Sequence, residues 1–304
     1  MTERRFDDRV AVITGSGRGL GREYALLLAS RGARIVVNDN GSSLTGEGQD
    51  DGPAQDVVAE IQAMGGEAAA CTASVATPGG GKAIIEAAMD RFGGVDILIH
   101  SAGNSRFCPL ETLSHEEFRS VVDIHLLGAF NVVQPSFPLM RERGYGRVVL
   151  TGSIGGIYTM PTVAPYAVSK SAMIGLNQAI AIEGADRGIR SNIILPGAST
   201  RMAEGIDTTG FPPMGPEMVA PVVGWLAHET CSISGEMLIS AAGRVARAFI
   251  TESEGVYAPD WTIEKIGEQI GAIRDSSRQW TFHPVPDGFN QHLGKSFEMA
   301  ARGG

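Results

Sequence analysis

Short apolar runs alternate with amphipathic stretches along most of this chain. Residues 9–14 (RVAVIT) form an apolar run that ends at a glycine, the pattern of a strand buried on both faces. A helical pattern through Tyr24, Leu27 and Leu28 follows, and then a second strand at residues 34–39 (RIVVND). The same alternation predicts a helix over 54–64 stopped by Gly65-Gly66, a strand over 68–73, a helix over 80–92 and a strand over 96–100 (DILIH). Such βαβα repetition implies a parallel sheet with helices on both faces.

The second half continues the alternation. Ser114 with Glu117 has capping-box form and predicts a long helix to about residue 143, with Val121, Ile124, Leu127 and Val132 on its apolar face and His125 at its middle. A strand over 146–152 delivers Ser153. A helix over 164–187 carries Tyr166 and Lys170, and its small residues (Ala167, Ser171, Ala172, Gly175, Ala179) suit close packing against the sheet or another subunit. A strand over 189–195 stops at Pro196-Gly197, and a helix over 217–227 and a strand over 237–240 complete the pattern. Two connections stand out. Residues 40–53 are turn-rich, longer than an ordinary strand–helix link, and expected to be mobile without ligand. Residues 198–216, rich in Gly, Pro and Thr, read as a lid. Beyond residue 245 the pattern thins, with a helix predicted over 262–274 and an extended, proline-broken stretch over 280–290.

The expected fold is α/β: a single Rossmann-type doubly wound parallel sheet of about seven strands with helices on both faces. One domain is expected over 1–304, with a core of about 8–245 and an appendage of about 246–304. Forty glycines in 304 residues suit the tight strand-to-helix turns of such a fold. A net charge of -9 argues against broad nucleic-acid or anionic-membrane binding, which needs a basic field. Three cysteines without paired spacing and six histidines without HExxH leave neither a disulfide framework nor a metal site expected. The charged start, MTERRFDDRV, and the absence of an eighteen-residue apolar run make the cytoplasm the default expectation.

Two motifs carry chemistry. In TGSGRGLG (residues 14–21) the glycines at 15, 19 and 21 let the backbone turn sharply and bring a pyrophosphate to the start of a helix. Asp39 ends the second strand, where a carboxylate bonds an adenosine ribose and repels a 2′-phosphate, favouring NAD over NADP. Arg18 pulls mildly the other way. Further on, Tyr166 and Lys170 are four residues apart, one helical turn, so the cation is expected to lower the tyrosine pKa and prepare it for proton transfer. Ser153 would bond the same substrate oxygen.

Taken together, the glycine motif, Ser153 and Tyr166-x-x-x-Lys170 resemble the short-chain dehydrogenase/reductases over roughly residues 8–245. Within them the chain looks most like the (3R)-hydroxyacyl-CoA dehydrogenase unit of peroxisomal multifunctional enzyme type 2 and its bacterial stand-alone relatives. VVND with its long loop, AIEG at 181–184, STRM at 199–202 and the extended tail carry that likeness. The resemblance implies catalysis by Ser153, Tyr166 and Lys170, with His125 holding a relay water where the wider family has asparagine. It implies NAD held by Gly15, Ser16, Gly17, Arg18, Gly19, Leu20, Gly21 and Asp39. Ser74 and Val75 would frame the adenine, and Ser101, Ala102, Gly103, Tyr166, Lys170, Pro196, Gly197, Ser199 and Thr200 would lie along the rest of the cofactor. Two departures stand out: His100-Ser101-Ala102-Gly103 replaces the usual Asn-Asn-Ala-Gly, and Ala73 stands where an aspartate often contacts adenine.

The implied substrate is a (3R)-3-hydroxyacyl-CoA, with a steroid-derived acyl chain among the candidates and Arg106, Arg201, Arg244 and Arg247 as a basic rim. A free hydroxysteroid or other secondary alcohol is the alternative within enzymes. A non-catalytic NAD-binding sensor or scaffold is the alternative outside them. The resemblance also implies a homodimer or homotetramer, associating through the helices that begin near Ser114 and Ala164.

Overall fold

A computed structural model describes residues 2–201 and 209–303. Eight strands form one sheet in the order β3-β2-β1-β4-β5-β6-β7-β8. They are β1 (Val10–Thr14), β2 (Arg34–Asn38), β3 (Ala68–Cys71), β4 (Ile97–His100), β5 (Gly146–Thr151), β6 (Ile189–Gly197), β7 (Met237–Ala241) and β8 (Arg244–Ala248). The pairings from β3 through β7 are all parallel, with Thr14 opposite both Asn38 and His100. Every residue of β1, β4 and β5 is buried, as expected for strands covered on both sides. The connection order reverses at β1, whose neighbours are β2 and β4. In open α/β sheets the crevice beyond the strand ends at such a point is where ligands bind.

Helices α1 (Gly19–Ser30), α2 (Gly52–Ala63) and α7 (Ala220–Ala227) cover one face, burying Tyr24, Leu28, Val57, Ile61, Val223 and Leu226 in one cluster with β1 and β2. On the other face α3 (Pro78–Phe92) packs on α5 (Gly128–Arg143), and α4 (His115–Val122) on α6 (Ala164–Gly184). The capping box between Ser114 and Glu117 is formed. The long helix expected after it is divided: a π-helical turn at Asp123–Leu127 separates α4 from α5, and His125 on that turn is buried. An insertion of this kind re-aims side chains within an otherwise continuous helix.

The sheet has one strand more than the expected seven. β7 turns through Ala242 (φ 50°) and Gly243 (φ 79°) into β8, and two consecutive positive φ values define a tight hairpin turn. β8 is half exposed and lacks the continuous apolar run of its neighbours, so its sequence gave no strand signal. The loop expected to be mobile, residues 40–53, is bonded at several points. Leu44 O accepts from Ser105 N at 2.9 Å, Glu47 pairs with Arg106 at 2.8 Å, and Asp50 N donates to Asn40 O at 3.0 Å. Much of the expected lid, residues 202–208, lies outside the described residues.

Contacts divide the chain into a unit of residues 1–247 and a smaller one of 248–304. The smaller unit contains a two-stranded antiparallel ladder of β9 (Glu252–Ser253) and β10 (Gln279–Trp280). It also contains α8 (Ile263–Ile273), capped by Thr262, and α9 (Gly288–Gly303). α9 replaces part of the extended stretch expected to residue 290. Its first residue Gly288, its internal Gly294 and the prolines at 284 and 286 just before it obscure the helix, although Phe289, Leu293 and Phe297 recur at helical spacing.

Candidate active site

β1 leads directly into the glycine turn. Gly15 has φ 64°, and a Cβ placed there would come within 2.6 Å of the Ala102 Cα, so only glycine permits the two backbones to meet. A Cβ on Gly21 would sit 2.3 Å from the Gly15 carbonyl. Arg18, the N-cap of α1, gives the helix no side-chain cap, so the first-turn amides point toward the crevice unsatisfied by side chains. Past the end of β2, Asp39 accepts from Gly17 N (2.9 Å) and from Gly41 N (2.8 Å). These bonds fix its carboxylate beside the glycine turn.

One cleft joins these features to the motif on α6. Gly15, Gly19, Asp39, Ser74 and Val75 line one part, and Ser101–Gly103, His125, Tyr166, Lys170 and Pro196 line the remainder. Arg18, Leu20, Gly21 and Thr200 border it as well. Ser16, Gly17, Gly197 and Ser199 stand one layer back. Ser16 Oγ donates to Ile13 O at 2.6 Å, Gly17 faces Asp39 and Pro53, Gly197 faces Ala241, and Ser199 N donates to Met214 O. The lining also includes Asn38, Ser42, Leu44, Ile124 and Thr151, which sequence reasoning missed. Ser42 and Leu44 come from the loop after β2, whose polar composition carried no site signal.

Ser153 caps the short helical turn at Ile154–Gly156, accepting from Gly155 N at 3.0 Å, and its hydroxyl and the Tyr166 ring both flank Gly155, 3.3 and 3.6 Å from where a Cβ on that glycine would stand. Ser153 itself lies just past the Thr151–Gly152 part of the cleft lining. Lys170 is buried, with Nζ donating to Thr151 O at 2.6 Å and lying 5.6 Å from the Tyr166 ring centroid. The expected lowering of the tyrosine pKa is absent from this ligand-free arrangement. Burial pushes the Tyr166 phenol up, the nearby Ser153 hydroxyl opposes it, and burial brings Lys170 down to about 7. The lysine sits in too dry a place to be a full cation at neutral pH, so its field on the phenol is weakened.

His125 meets Tyr166 edge-on, ring centroids 5.4 Å apart. Its Nε2 faces both Asn104 O (2.8 Å) and Asn104 N (3.1 Å), while its Nδ1 is buried without a partner. Burial first and Lys170 second hold its pKa well below the usual value, so the ring is neutral. Asn104 also bonds the carbonyls of Thr45 and Ser120, tying the loop after β2 to this wall of the cleft.

Of the basic residues expected at the rim, Arg201 lines the cleft, whereas Arg106 and Arg247 pair with Glu47 and Glu236 and Arg244 lies exposed on β8. No group of three or more His, Cys, Asp or Glu suited to a metal occurs among the described residues. The cleft fits a dinucleotide in three respects: a side-chain-free turn at an uncapped helix start, a carboxylate at the end of β2, and continuity to Tyr166 and Lys170.

The family model of short chain dehydrogenases matches residues 9–209. Peroxisomal multifunctional enzyme type 2 of Drosophila melanogaster is 41% identical over 90% of this chain, which spans 46% of that protein. In its full-length structure the likeness has a TM-score of 0.82 at 34% identity, covering 98% of this chain and 50% of that one. A short-chain type dehydrogenase/reductase of Mycobacterium tuberculosis is 40% identical, covering 82% of this chain and 87% of its own length. A 7α-hydroxysteroid dehydrogenase complexed with NADH and 7-oxo glycochenodeoxycholic acid gives a TM-score of 0.72 at 29% identity, over 79% of this chain and 95% of that one.

Proposed function

Because this chain belongs to the short-chain dehydrogenase family, and so is an oxidoreductase acting on CH–OH groups, we propose that it oxidises a (3R)-3-hydroxyacyl-CoA reversibly with NAD. The carrying observation is that one cleft runs from Asp39 to Tyr166 and Lys170, with Ser153 directly following its Thr151–Gly152 wall. Tyr166 takes the proton from the substrate hydroxyl, or returns it to the ketone, and Ser153 holds the same oxygen by a hydrogen bond. Lys170, once protonated, sets its charge against the Tyr166 ring and favours phenolate. His125 keeps Nδ1 open to hold a water on the proton path. When bound, NAD accepts the hydride from the carbinol carbon, chemistry that belongs to the cofactor.

NAD is favoured over NADP because the Asp39 carboxylate, fixed beside Gly17, would repel a 2′-phosphate. The acyl-CoA reading rests on similarity to multifunctional relatives of which this chain spans less than two thirds. A bulky acyl chain is supported by the exposed apolar side chains around the Ser153–Tyr166 end: Ile154, Ile157, Tyr158 and Met160 follow Ser153, and Phe107 and Leu110 are tied to that loop through Cys108 N–Thr162 O at 2.9 Å. The same apolar rim suits the second reading, a free hydroxysteroid, which similarity to the 7α-hydroxysteroid dehydrogenase also supports.

Association into a homo-oligomer is part of this reading. Ser171, Gly175 and Ala179 on α6 face outward between exposed Val168 and Ile182, away from the sheet. No helix among the described residues is long and apolar enough to cross a membrane, and the cytoplasm is the compartment we assign.

The test mixes purified protein with NAD and a series of (3R)-3-hydroxyacyl-CoA thioesters, including a steroid-side-chain thioester, and follows NADH. Turnover that depends on the thioester supports the reading. Turnover of free steroids alone replaces the substrate, and inertness of the whole panel removes the assignment.

A further inference from the structure

His100 ends β4 at the switch point and is fully buried. The wider family has asparagine here, so the change puts an imidazole where an amide is usual. Its two nitrogens reach two different parts of the site. Nε2 lies 3.1 Å from the carbonyl oxygen of His125 on the π-helical turn, with the Ile124 carbonyl beside it. Nδ1 lies 2.9 Å from Thr14 Oγ1 at the end of β1.

The partners decide the tautomer. Burial, reinforced by Lys170, brings the His100 pKa down to about 3, so the ring is neutral and carries one proton. Carbonyl oxygens only accept, which places that proton on Nε2. Nδ1 is then an acceptor, and Thr14 must donate its hydroxyl proton to it. The Thr14 oxygen is left to accept, and the amides of Ser101 (3.2 Å) and Ala102 (3.3 Å) point at it. Every member of the chain therefore has one direction of donation, from the two amides to Thr14, from Thr14 to His100, and from His100 to the His125 carbonyl.

We propose that His100 is a positioning residue that holds the glycine turn, the Ser101–Gly103 wall and the His125 turn in one arrangement through its donor at Nε2 and acceptor at Nδ1. A primary amide offers the same pair, a donor at one end and an acceptor at the other, so imidazole and asparagine are interchangeable here by polarity rather than shape. Aspartate has nearly the shape of asparagine but only acceptors, and leucine has neither. The three segments held together all border the cleft, and Gly15 touches Ala102 so closely that a shift of either moves both. The assignment rests on reading the cleft as a dinucleotide site only for its effect on binding; the bonds themselves do not depend on it.

Two measurements on the full chain test it. Long-range proton–nitrogen NMR of the ligand-free, histidine-labelled protein, with the His100 signal identified by its loss in His100→Asn, reads the tautomer; Nε2–H is expected, and Nδ1–H overturns the proposal. NADH titration of folded variants reads the polarity. His100→Asn and Thr14→Ser are expected to stay within about threefold of the parent. His100→Asp, His100→Leu and Thr14→Val should each bind about tenfold more weakly, with the Thr14→Val/His100→Leu pair no worse than either alone. If His100→Leu does not fold, the Thr14 variants and the tautomer decide alone. Equal binding by the Asn and Asp variants, or additive losses in the double variant, overturns the proposal. Absence of NADH binding by the parent would instead remove the cofactor reading, while the tautomer still decides the network.

Discussion

Lys170 Nζ donates to the main-chain carbonyl of Thr151 at 2.6 Å, which ties α6 to the end of β5 just ahead of Ser153. That bond places the amine inside the protein beside Tyr166, and the resulting desolvation weakens its charge. A neutral or half-charged lysine is the resting condition of this site near pH 7. An anionic pyrophosphate in the cleft would favour the protonated form, so ligand and lysine charge are linked.

The sign of that burial is testable through stability. The Lys170 pKa is lowered in the folded chain to about 7 from 10.5 in the unfolded one. Between these values the unfolded state binds more protons, so this residue makes stability rise with pH across that window. Below pH 7 the cost of burying the cation is felt in full. Lys170→Met should therefore stabilise the ligand-free protein by on the order of 2–4 kcal/mol at pH 6–7, and by clearly less at pH 10. Thermal melts at both pH values check this; a gain independent of pH would exclude the charge as its source.

On the proposed mechanism, Tyr166→Phe removes the hydroxyl that exchanges a proton with the substrate and little else. Turnover should fall below a few per cent of the parent, while NADH fluorescence titration gives an affinity within about twofold. Substantial residual turnover would assign the acid–base role elsewhere.

The proposed preference for NAD rests on Asp39. Asp39→Asn keeps an acceptor for Gly17 N and removes the negative charge. The NADPH-to-NADH affinity ratio should rise by at least about tenfold, and more at low than at high ionic strength. A parent protein that prefers NADPH, or an unchanged ratio in the variant, contradicts the NAD assignment.

Gly15→Ala addresses the glycine turn itself. Its positive φ and the 2.6 Å approach to Ala102 leave no room for a methyl group. Destabilisation of about 2 kcal/mol or more, with loss of measurable NADH binding, is expected from denaturant unfolding and titration. Parent-like values for both would show that the turn does not need glycine.

Local pattern was sufficient for much of this protein. Apolar runs such as RVAVIT and DILIH announced β1 and β4 because strands covered on both faces must be apolar nearly throughout. Ser114 and Glu117 announced the start of α4 because a capping box is satisfied within four residues. β8 was illegible, since it lacks a continuous apolar run, and α9 was obscured, although Phe289, Leu293 and Phe297 recur at helical spacing, because Pro284 and Pro286 just before it read as an extended stretch. The π-helical turn was equally hidden: the same DIHLL would continue an ordinary helix, and only packing selects the wider turn that buries His125.

The candidate site divides along the same line. Residue types and spacing determined the glycine turn, Asp39, Ser153, Tyr166 and Lys170, because each belongs to a motif whose logic is local: a turn without side chains, a strand-end carboxylate, one helical turn between two groups. The tertiary structure decided their protonation. Burial, which no spacing encodes, raises the Tyr166 phenol and brings Lys170 to about 7. It also joins Thr14, His100 and His125, residues of three separate segments, through bonds that exist only once β1, β4 and the turn after α4 are side by side. Spacing fixes which groups are available, whereas desolvation and long-range hydrogen bonds, products of the whole fold, fix the charge and direction in which they act.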